Sequence, residues 1–71
     1  MANRPYPSFL IYIDEAGEYR WRYQTAGNHE TIADSGEGYK AFQDCRAAID
    51  MIKASWDAPV WQSKEVEEKR R

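Results

Sequence analysis

The sequence predicts a small α+β domain in the order βββα. Three segments in the first half of the chain carry strand-forming residues, and turn residues separate them. The second half changes to a period of about 3.6 residues, which is typical of an amphipathic helix. Because the connections are short, these patterns favour a three-stranded antiparallel meander with one helix packed on one face.

The chain has 71 residues, which is room for one domain only. A domain of this size buries about 60% of the surface that its unfolded chain exposes, so its core is small. We place the domain at residues 8–58, after an irregular lead-in at residues 1–7 that carries Pro5 and Pro7. A charged tail at residues 59–71 follows it.

Each predicted strand is bounded by turn residues. Residues 9–13 are rich in β-forming side chains, and residues 14–17 supply the turn that follows. Residues 18–25 alternate aromatic and polar side chains, which is typical of a strand with two different faces. A turn at residues 27–29 then leads to a short third strand at residues 31–34.

The predicted helix follows a glycine-rich turn at residues 35–38. Its apolar residues recur at steps of three and four, as one stripe of a helix requires: Phe42, Cys45, Ile49, Ile52 and Trp56. Pro59 ends this pattern, because a proline in a helix interior removes a backbone hydrogen bond. We expect the tail beyond it to be a frayed helix or disordered, with Val60 and Trp61 covering apolar surface of the domain.

Alternation separates the two faces of the predicted second strand. Its rings share one face and its arginines share the other, with Tyr19, Trp21 and Tyr23 opposed to Arg20 and Arg22. One helix covers only one face of the sheet, so Leu10 and Tyr12, or whichever set remains outside, form an exposed apolar patch near the arginines. Such a patch more often marks an interface than a defect.

Composition excludes several classes of protein. The net charge of −2 argues against a nonspecific nucleic-acid binder, which is usually markedly basic. A single cysteine, Cys45, excludes an intramolecular disulfide and a cysteine metal cage. No apolar stretch approaches the ~20 residues of a membrane span, and no signal-peptide core is present at the N-terminus. We therefore expect a cytoplasmic protein without a cofactor.

Three short motifs carry a family resemblance: Phe9-x-Ile11-Tyr12, the run AGEYRWR at residues 16–22, and the pattern IAxSxEGY at residues 32–39. They resemble the YegP-like family, small bacterial and archaeal domains of unknown function. The resemblance implies three strands and a helix, in tandem copies or in single copies that pair, and hence a homodimer for this chain. Ala41 stands where relatives often carry a capping hydroxyl, so Ser35 or another upstream group is expected to cap the helix.

Arg20 and Arg22 are the strongest candidates for a binding site. One interpretation is a platform on which rings stack on bases and guanidinium groups hold phosphates. The other is a strand whose arginines are solvated or paired with acidic neighbours, for which Glu18, Glu30 and Glu37 are available. Alternation favours the second, because a platform needs rings and arginines on the same face.

The other candidate sites are better explained by structural roles of their residues than by binding or catalysis. The turn at residues 35–38 precedes a helix, but it lacks the Gly-Lys-Ser/Thr ending of a P-loop, and Glu37 would repel a phosphate. Cys45 lies in the apolar stripe, so a catalytic pair with His29 is disfavoured. One histidine and one cysteine cannot fill a tetrahedral metal site. We predict neither catalytic nor metal-binding residues.

These observations favour a homodimeric, non-enzymatic binding module. A protein partner is the leading hypothesis, bound on the exposed sheet face by Tyr12, Arg20 and Arg22. The alternative is a nucleic-acid-binding accessory protein that uses Arg20, Arg22 and Lys40, and binding that weakens steeply with salt would favour it. An enzyme ranks third, because the sequence contains no recognisable set of reactive groups.

Overall fold

The computed structural model of the chain describes residues 4–70, so the start of the expected lead-in and Arg71 of the tail lie outside the described residues. The elements follow the order β1 (Ser8–Ile13), β2 (Tyr19–Gln24), β3 (Thr31–Asp34), α1 (Phe42–Ala54) and α2 (Lys64–Lys69). The three strands form one antiparallel sheet in the order β1-β2-β3. The predicted α+β class with a meander sheet is confirmed.

The register places the apolar residues of neighbouring strands directly opposite one another. Phe9 of β1 faces Tyr23 of β2, and Ile11 faces Trp21. The β1–β2 pairing is continuous over six residues of each strand, whereas β2–β3 is interrupted by an irregularity between Tyr23 and Gln24. One face of the sheet therefore presents a continuous apolar surface, and α1 packs on it.

The core is small. Only Trp21, Cys45 and Ile49 are buried within the described residues. They are surrounded by partly buried side chains of the same sheet face and of the loop before α1, namely Phe9, Ile11, Tyr19, Tyr23 and Tyr39. The indole nitrogen of Trp21 is buried and has no hydrogen-bond partner in the described part of the chain. One short helix covers only part of the apolar sheet face.

The start of α1 is fixed by backbone contacts. Ala41 is the N-cap residue and makes no side-chain cap, as its lack of a polar side chain requires. The expectation that Ser35 caps the helix is wrong, because its hydroxyl donates to the carbonyl of Glu37 at 2.8 Å. Instead, Tyr19 and Tyr39 exchange two backbone hydrogen bonds of 2.7 Å each, which hold the loop before α1 against β2.

Gly38 is required by a close approach between this loop and β2. A Cβ atom at this position would lie 2.8 Å from the Cβ of Glu18, well inside van der Waals contact. The second glycine of the Gly-Glu-Gly turn therefore serves packing, whereas Gly36 adopts a left-handed conformation with φ of 74°.

The helix ends earlier than the apolar stripe predicts. Ser55 terminates α1, and its backbone amide and hydroxyl both bond to carbonyl oxygens of the last turn. Trp56 therefore lies beyond the helix and is 86% exposed. Its place at the end of the apolar stripe does not bring it into the core.

The C-terminal segment projects from the domain. Val60 and Trp61 are 92% and 87% exposed, so the expectation that they cover apolar surface of the same chain is wrong. Within the tail, α2 forms at Lys64–Lys69, with the Ser63 hydroxyl accepting a hydrogen bond from the amide of Val66 at 3.2 Å. The radius of gyration is 15.4 Å, whereas a compact domain of this length has about 11 Å.

Candidate functional site

The sheet face turned away from α1, hereafter the outer face, is the site that the sequence predicts. It carries the side chains that alternate with the core residues of β1 and β2: Ser8, Leu10, Tyr12, Arg20, Arg22 and Gln24. All six are intermediate in exposure, because long side chains lie over one another across the strands. This face is therefore an ordered polar and aromatic surface.

Arg20 is held by Asp14, which follows the end of β1. The guanidinium Nε–H of Arg20 donates to the Asp14 carboxylate at 2.6 Å. The other carboxylate oxygen accepts the backbone N–H groups of Ala16 and Glu18, each at 2.9 Å. The hydrogen bond from Arg20, followed by that from Glu18, holds the pKa of the Asp14 carboxyl below its ordinary value. Asp14 thus joins the β1–β2 turn to the outer face.

Arg22 lies over the ring of Tyr12. The central carbon of its guanidinium group is 4.3 Å from the ring centroid, which is a cation–π contact. In the β1–β2 register, Tyr12 is directly opposite Arg20 and Leu10 is directly opposite Arg22. Two arginines of β2 therefore sit beside an aromatic and an aliphatic side chain of β1.

A third arginine, Arg4, reaches the same face from the segment before β1. Its guanidinium donates to Ser8 Oγ at 2.8 Å and to Gln24 Oε1 at 2.7 Å. The same group lies 4.5 Å from the ring centroid of Tyr6. The Tyr6 ring in turn stacks on His29, with centroids 3.7 Å apart. These contacts order the described part of the lead-in.

The structure brings Tyr12, Arg20 and Arg22 together but not Lys40. Lys40 is exposed and follows Tyr39, whose bridge to Tyr19 lies on the β3 side of β2, whereas Tyr12 belongs to β1. The expectation that alternation keeps rings apart from arginines holds within β2. Across strands, β1 supplies Tyr12 to the face that carries both arginines, where the sequence also placed the patch of Leu10 and Tyr12.

The acidic partners expected for the arginines, Glu18, Glu30 and Glu37, form no ion pair with Arg20 or Arg22 in the described residues. Asp14 pairs with Arg20 instead, and the Glu18 side chain packs against Gly38. An aspartate three residues before a turn glycine favours side-chain bonding to local amides, and that signal identifies Asp14 as a turn residue. The bond of Asp14 to Arg20 could be predicted only from the register of the β1–β2 hairpin. No local pattern identifies Arg4, because its Gln24 contact spans 20 residues.

Two open cavities flank α1 on the core face of the sheet, each of about 340 Å³. The one toward the end of α1 is almost wholly apolar and is lined by Phe9, Trp21, Tyr23, Ala33, Ile52, Lys53 and Trp56. The other is more polar, and its lining includes Arg46 and Lys53. They are the parts of the apolar face that the single helix leaves open.

The structure does not assemble a reactive site around Cys45. This thiol is 0% exposed, and burial raises its pKa. His29 lies in the β2–β3 turn, stacked on Tyr6, rather than beside the thiol.

Residues 4–70 contain no cluster of three or more histidine, cysteine, aspartate or glutamate side chains able to hold a metal ion. No helix in this range is both long and apolar enough to cross a membrane.

Fold and surface together define a small βββα domain with an ordered arginine-rich outer face. A profile of the DUF1508 family, described as a domain of unknown function, matches residues 14–60. The chain belongs to this family, and the predicted resemblance to YegP-like domains of unknown function is confirmed.

Relatives of the chain carry names that state no activity. A UPF0339 protein of Neisseria meningitidis serogroup B is 53% identical over 47 residues, which cover 66% of this chain and 80% of the relative. A UPF0339 protein of Agrobacterium fabrum is 53% identical over 45 residues, covering 63% and 69% of the two chains.

A solved structure supports the fold. An NMR structure of a protein from Haloferax volcanii matches with a TM-score of 0.69 and 37% sequence identity, covering 79% of this chain and 93% of that chain.

Proposed function

We propose that this chain is a non-enzymatic, homodimeric module of the cytoplasm that binds a protein partner through its outer face. The binding domain comprises residues 8–58, flanked by the lead-in and by the charged tail. The observation that carries the proposal is the contact of Arg22 with Tyr12 beside the Asp14–Arg20 pair, because it fixes cationic and aromatic groups on a face that α1 leaves open. Arginine and tyrosine are residue types enriched at protein interfaces.

The homodimer is supported by the amount of surface that one chain exposes. Its accessible area is 6202 Å², whereas a compact monomer of this length exposes about 4,600 Å². The excess is larger than the about 800 Å² that each partner buries in a standard interface. Large apolar side chains are exposed at the end of α1 and beyond, at Ile52, Trp56, Val60 and Trp61. A second copy that covers this surface enlarges a core that is too small in one chain.

Sedimentation velocity tests the dimer. We expect the wild-type chain to sediment as a dimer and the variant Val60→Ser/Trp61→Ser to shift toward monomer, with dimer affinity weakened at least about tenfold. This follows because each buried apolar side chain contributes about 1.5–3 kcal/mol, and 1.4 kcal/mol changes an equilibrium tenfold. Gln62→Ser, an exposed neighbouring change, is the control. A monomeric wild type would overturn this part of the proposal.

Partner capture tests the outer face. Tagged wild-type chain, the variant Arg20→Ala/Arg22→Ala and the control Arg46→Ala/Arg70→Ala are compared for retained protein. Both variants lose the same charge, but the control arginines lie on α1 and at the end of α2. We expect the outer-face variant alone to lose the partner. Equal retention by all three would remove the support for binding at this face.

A nucleic-acid-binding role is the second candidate. The placement of Tyr12 beside Arg20 and Arg22 favours it, because rings and guanidinium groups on one face can bind bases and phosphates. A salt titration with a single-stranded oligothymidine tests it. Affinity that falls steeply between 50 and 200 mM salt, and that also falls in Arg22→Gln, would favour this role over a protein partner.

The proposal of a non-enzymatic, cytoplasmic role is supported by Cys45. Its thiol is free and wholly buried, which suits a reducing compartment and leaves no accessible nucleophile at this position.

A further inference from the structure

We propose that the apolar cavity toward the end of α1, hereafter the α1 cavity, receives the indole ring of Trp61 from a second copy of the chain, and that two copies exchange these rings reciprocally. This inference rests on the proposed homodimer and specifies its interface. Two observations carry it: the cavity is open and apolar, and the same chain exposes an aromatic segment a few residues beyond it.

The α1 cavity suits a flat apolar ring. Its volume is about 340 Å³, and its lining is almost wholly apolar. An apolar cavity of about 150 Å³ is already large enough to bind benzene, so an indole ring has room here. Phe9, Trp21 and Tyr23 supply aromatic walls. Aromatic walls favour an aromatic occupant, because rings attract one another in edge-to-face and offset arrangements.

Trp61 does not fill the α1 cavity of its own chain. Its side chain is almost fully exposed, and so is that of Val60 before it. The backbone amide of Ala58 donates to the carbonyl of Ser55 at 2.9 Å, which closes a turn after α1. Pro59 then disfavours a helical conformation at Ala58, so the chain leaves this turn in an extended direction. The segment thereby carries its ring into solvent, where a second copy can receive it.

The ring and the cavity lie close enough along the chain for a reciprocal exchange. Trp56 borders the α1 cavity, and Trp61 follows five residues later. Five residues span at most about 18 Å. In a twofold dimer, each copy contacts the other with the same patch of surface. Two copies that meet at the ends of their α1 helices therefore place each Trp61 within reach of the other cavity.

A second copy satisfies both apolar surfaces at once. One aromatic side chain buries about 150–250 Å², and in a reciprocal exchange each copy buries one ring and one cavity. Trp56 and Val60 beside them extend the contact toward the about 800 Å² that each partner buries in a standard interface. A small apolar ligand would fill the cavity but leave Val60 and Trp61 exposed.

The test is sedimentation equilibrium of the full chain with variants that block the exchange from opposite sides. Trp61→Ala removes the ring. Ala33→Phe fills the cavity, because Ala33 is an exposed residue of its lining. Ala47→Phe, the same change at an exposed position of α1 outside that lining, is the matched control. We expect each of the first two variants to weaken the dimer at least tenfold and the control to change it less than threefold.

Mixing the two defective variants gives the distinguishing measurement. Trp61→Ala keeps an open cavity, and Ala33→Phe keeps the ring. A mixed pair therefore has one complete contact between ring and cavity, whereas a pair of either variant alone has none. We expect the mixed dimer to form at least fivefold more tightly than either variant does alone. If Ala33→Phe proves unfolded by circular dichroism, Ala33→Leu takes its place.

The contrary outcomes separate this inference from the proposed homodimer. Unchanged dimerisation of Ala33→Phe, or a mixed pair no tighter than the variants alone, would overturn the exchange and leave the homodimer in place. A monomeric wild type would overturn both. Binding of the apolar dye anilinonaphthalene sulfonate as strongly by the wild-type dimer as by Trp61→Ala would also overturn the exchange, because the cavity would then still be open to a small ligand.

Discussion

Asp14 connects the β1–β2 turn to the outer face through both of its carboxylate oxygens. One oxygen accepts two backbone amides of the turn, and the other accepts the guanidinium of Arg20. The sequence predicts the first role, since an aspartate three residues before a turn glycine is ordinary turn chemistry. The second role depends on the strand register, which sets Arg20 on the same side as this carboxylate.

The contribution of Asp14 to stability depends on pH. Because its folded pKa lies below its ordinary value, the stabilisation is present above about pH 4, where the unfolded carboxyl ionises. It is lost as the pH falls through the lower, folded pKa. We expect Asp14→Asn to be less stable than wild type at pH 7, and the difference to shrink below about pH 4.

Urea unfolding followed by tryptophan fluorescence between pH 7 and pH 2 measures this difference. Asp50→Asn is the control, because the Arg46–Asp50 pair is exposed and such pairs contribute about 0.5 kcal/mol or less. A difference between wild type and Asp14→Asn that stays constant down to pH 2 would contradict the assigned role of the carboxylate.

Cys45 is predicted from the apolar stripe to be buried, and the structure confirms this with no exposed surface. We expect a thiol reagent to modify the native chain much more slowly than the chain in urea, because the reaction requires the domain to open. Burial also raises the thiol pKa and lowers the thiolate fraction. Fast labelling of the native protein would reopen the case for an enzyme.

At the scale of elements, the strands were the most predictable part of the fold. β-Forming composition and bounding turn residues identified β1 and β3, and period-two alternation identified β2, each to within a residue at either end. The helix was predicted too long, because Ser55 bonds to the carbonyls of the last turn and ends α1 before Trp56. An apolar residue at the right spacing does not extend a helix whose final carbonyls are already satisfied.

Contacts between elements were the least predictable. The sequence placed Tyr12 on the exposed face near Arg20 and Arg22, but it did not identify the contact of the Tyr12 ring with Arg22. That contact needs the register of the hairpin, which a single strand does not encode. The contact of Arg4 is harder still to predict, because its bond to Gln24 joins residues that are far apart in sequence and share no pattern.

Gly38 gives a test of packing between the loop before α1 and β2. We expect Gly38→Ala to destabilise the domain by about 1–3 kcal/mol, because the new Cβ overlaps the Glu18 side chain. The double variant Glu18→Gly/Gly38→Ala removes the atoms that clash. Thermal unfolding of both single variants and the double variant measures their coupling, and simple additivity would contradict the close approach.

At the scale of the whole molecule, the chain combines a small core with a projecting apolar segment. Only Trp21, Cys45 and Ile49 are buried in the described residues, while Trp56, Val60 and Trp61 are almost fully exposed. The apolar stripe predicted Trp56 as a core residue, and Val60 and Trp61 were expected to cover apolar surface of the same chain. Periodicity does not distinguish contacts within a chain from contacts between copies.

Dimerisation has a thermal signature. We expect the melting temperature of the wild-type chain to rise with protein concentration, because association stabilises the folded state by mass action. The melting temperature of Val60→Ser/Trp61→Ser should be lower and nearly independent of concentration. Melting curves over a hundredfold concentration range measure both, and a wild-type temperature that does not move would contradict the proposed dimer.

The meander order of the sheet has a kinetic consequence. Each strand pairs with its neighbour in the sequence, so the loops that must close during folding are short. Chains dominated by such local pairings fold quickly. Folding of one copy should therefore be completed before two copies meet, and a refolding phase whose rate increases with protein concentration would report the encounter between copies rather than the formation of the sheet.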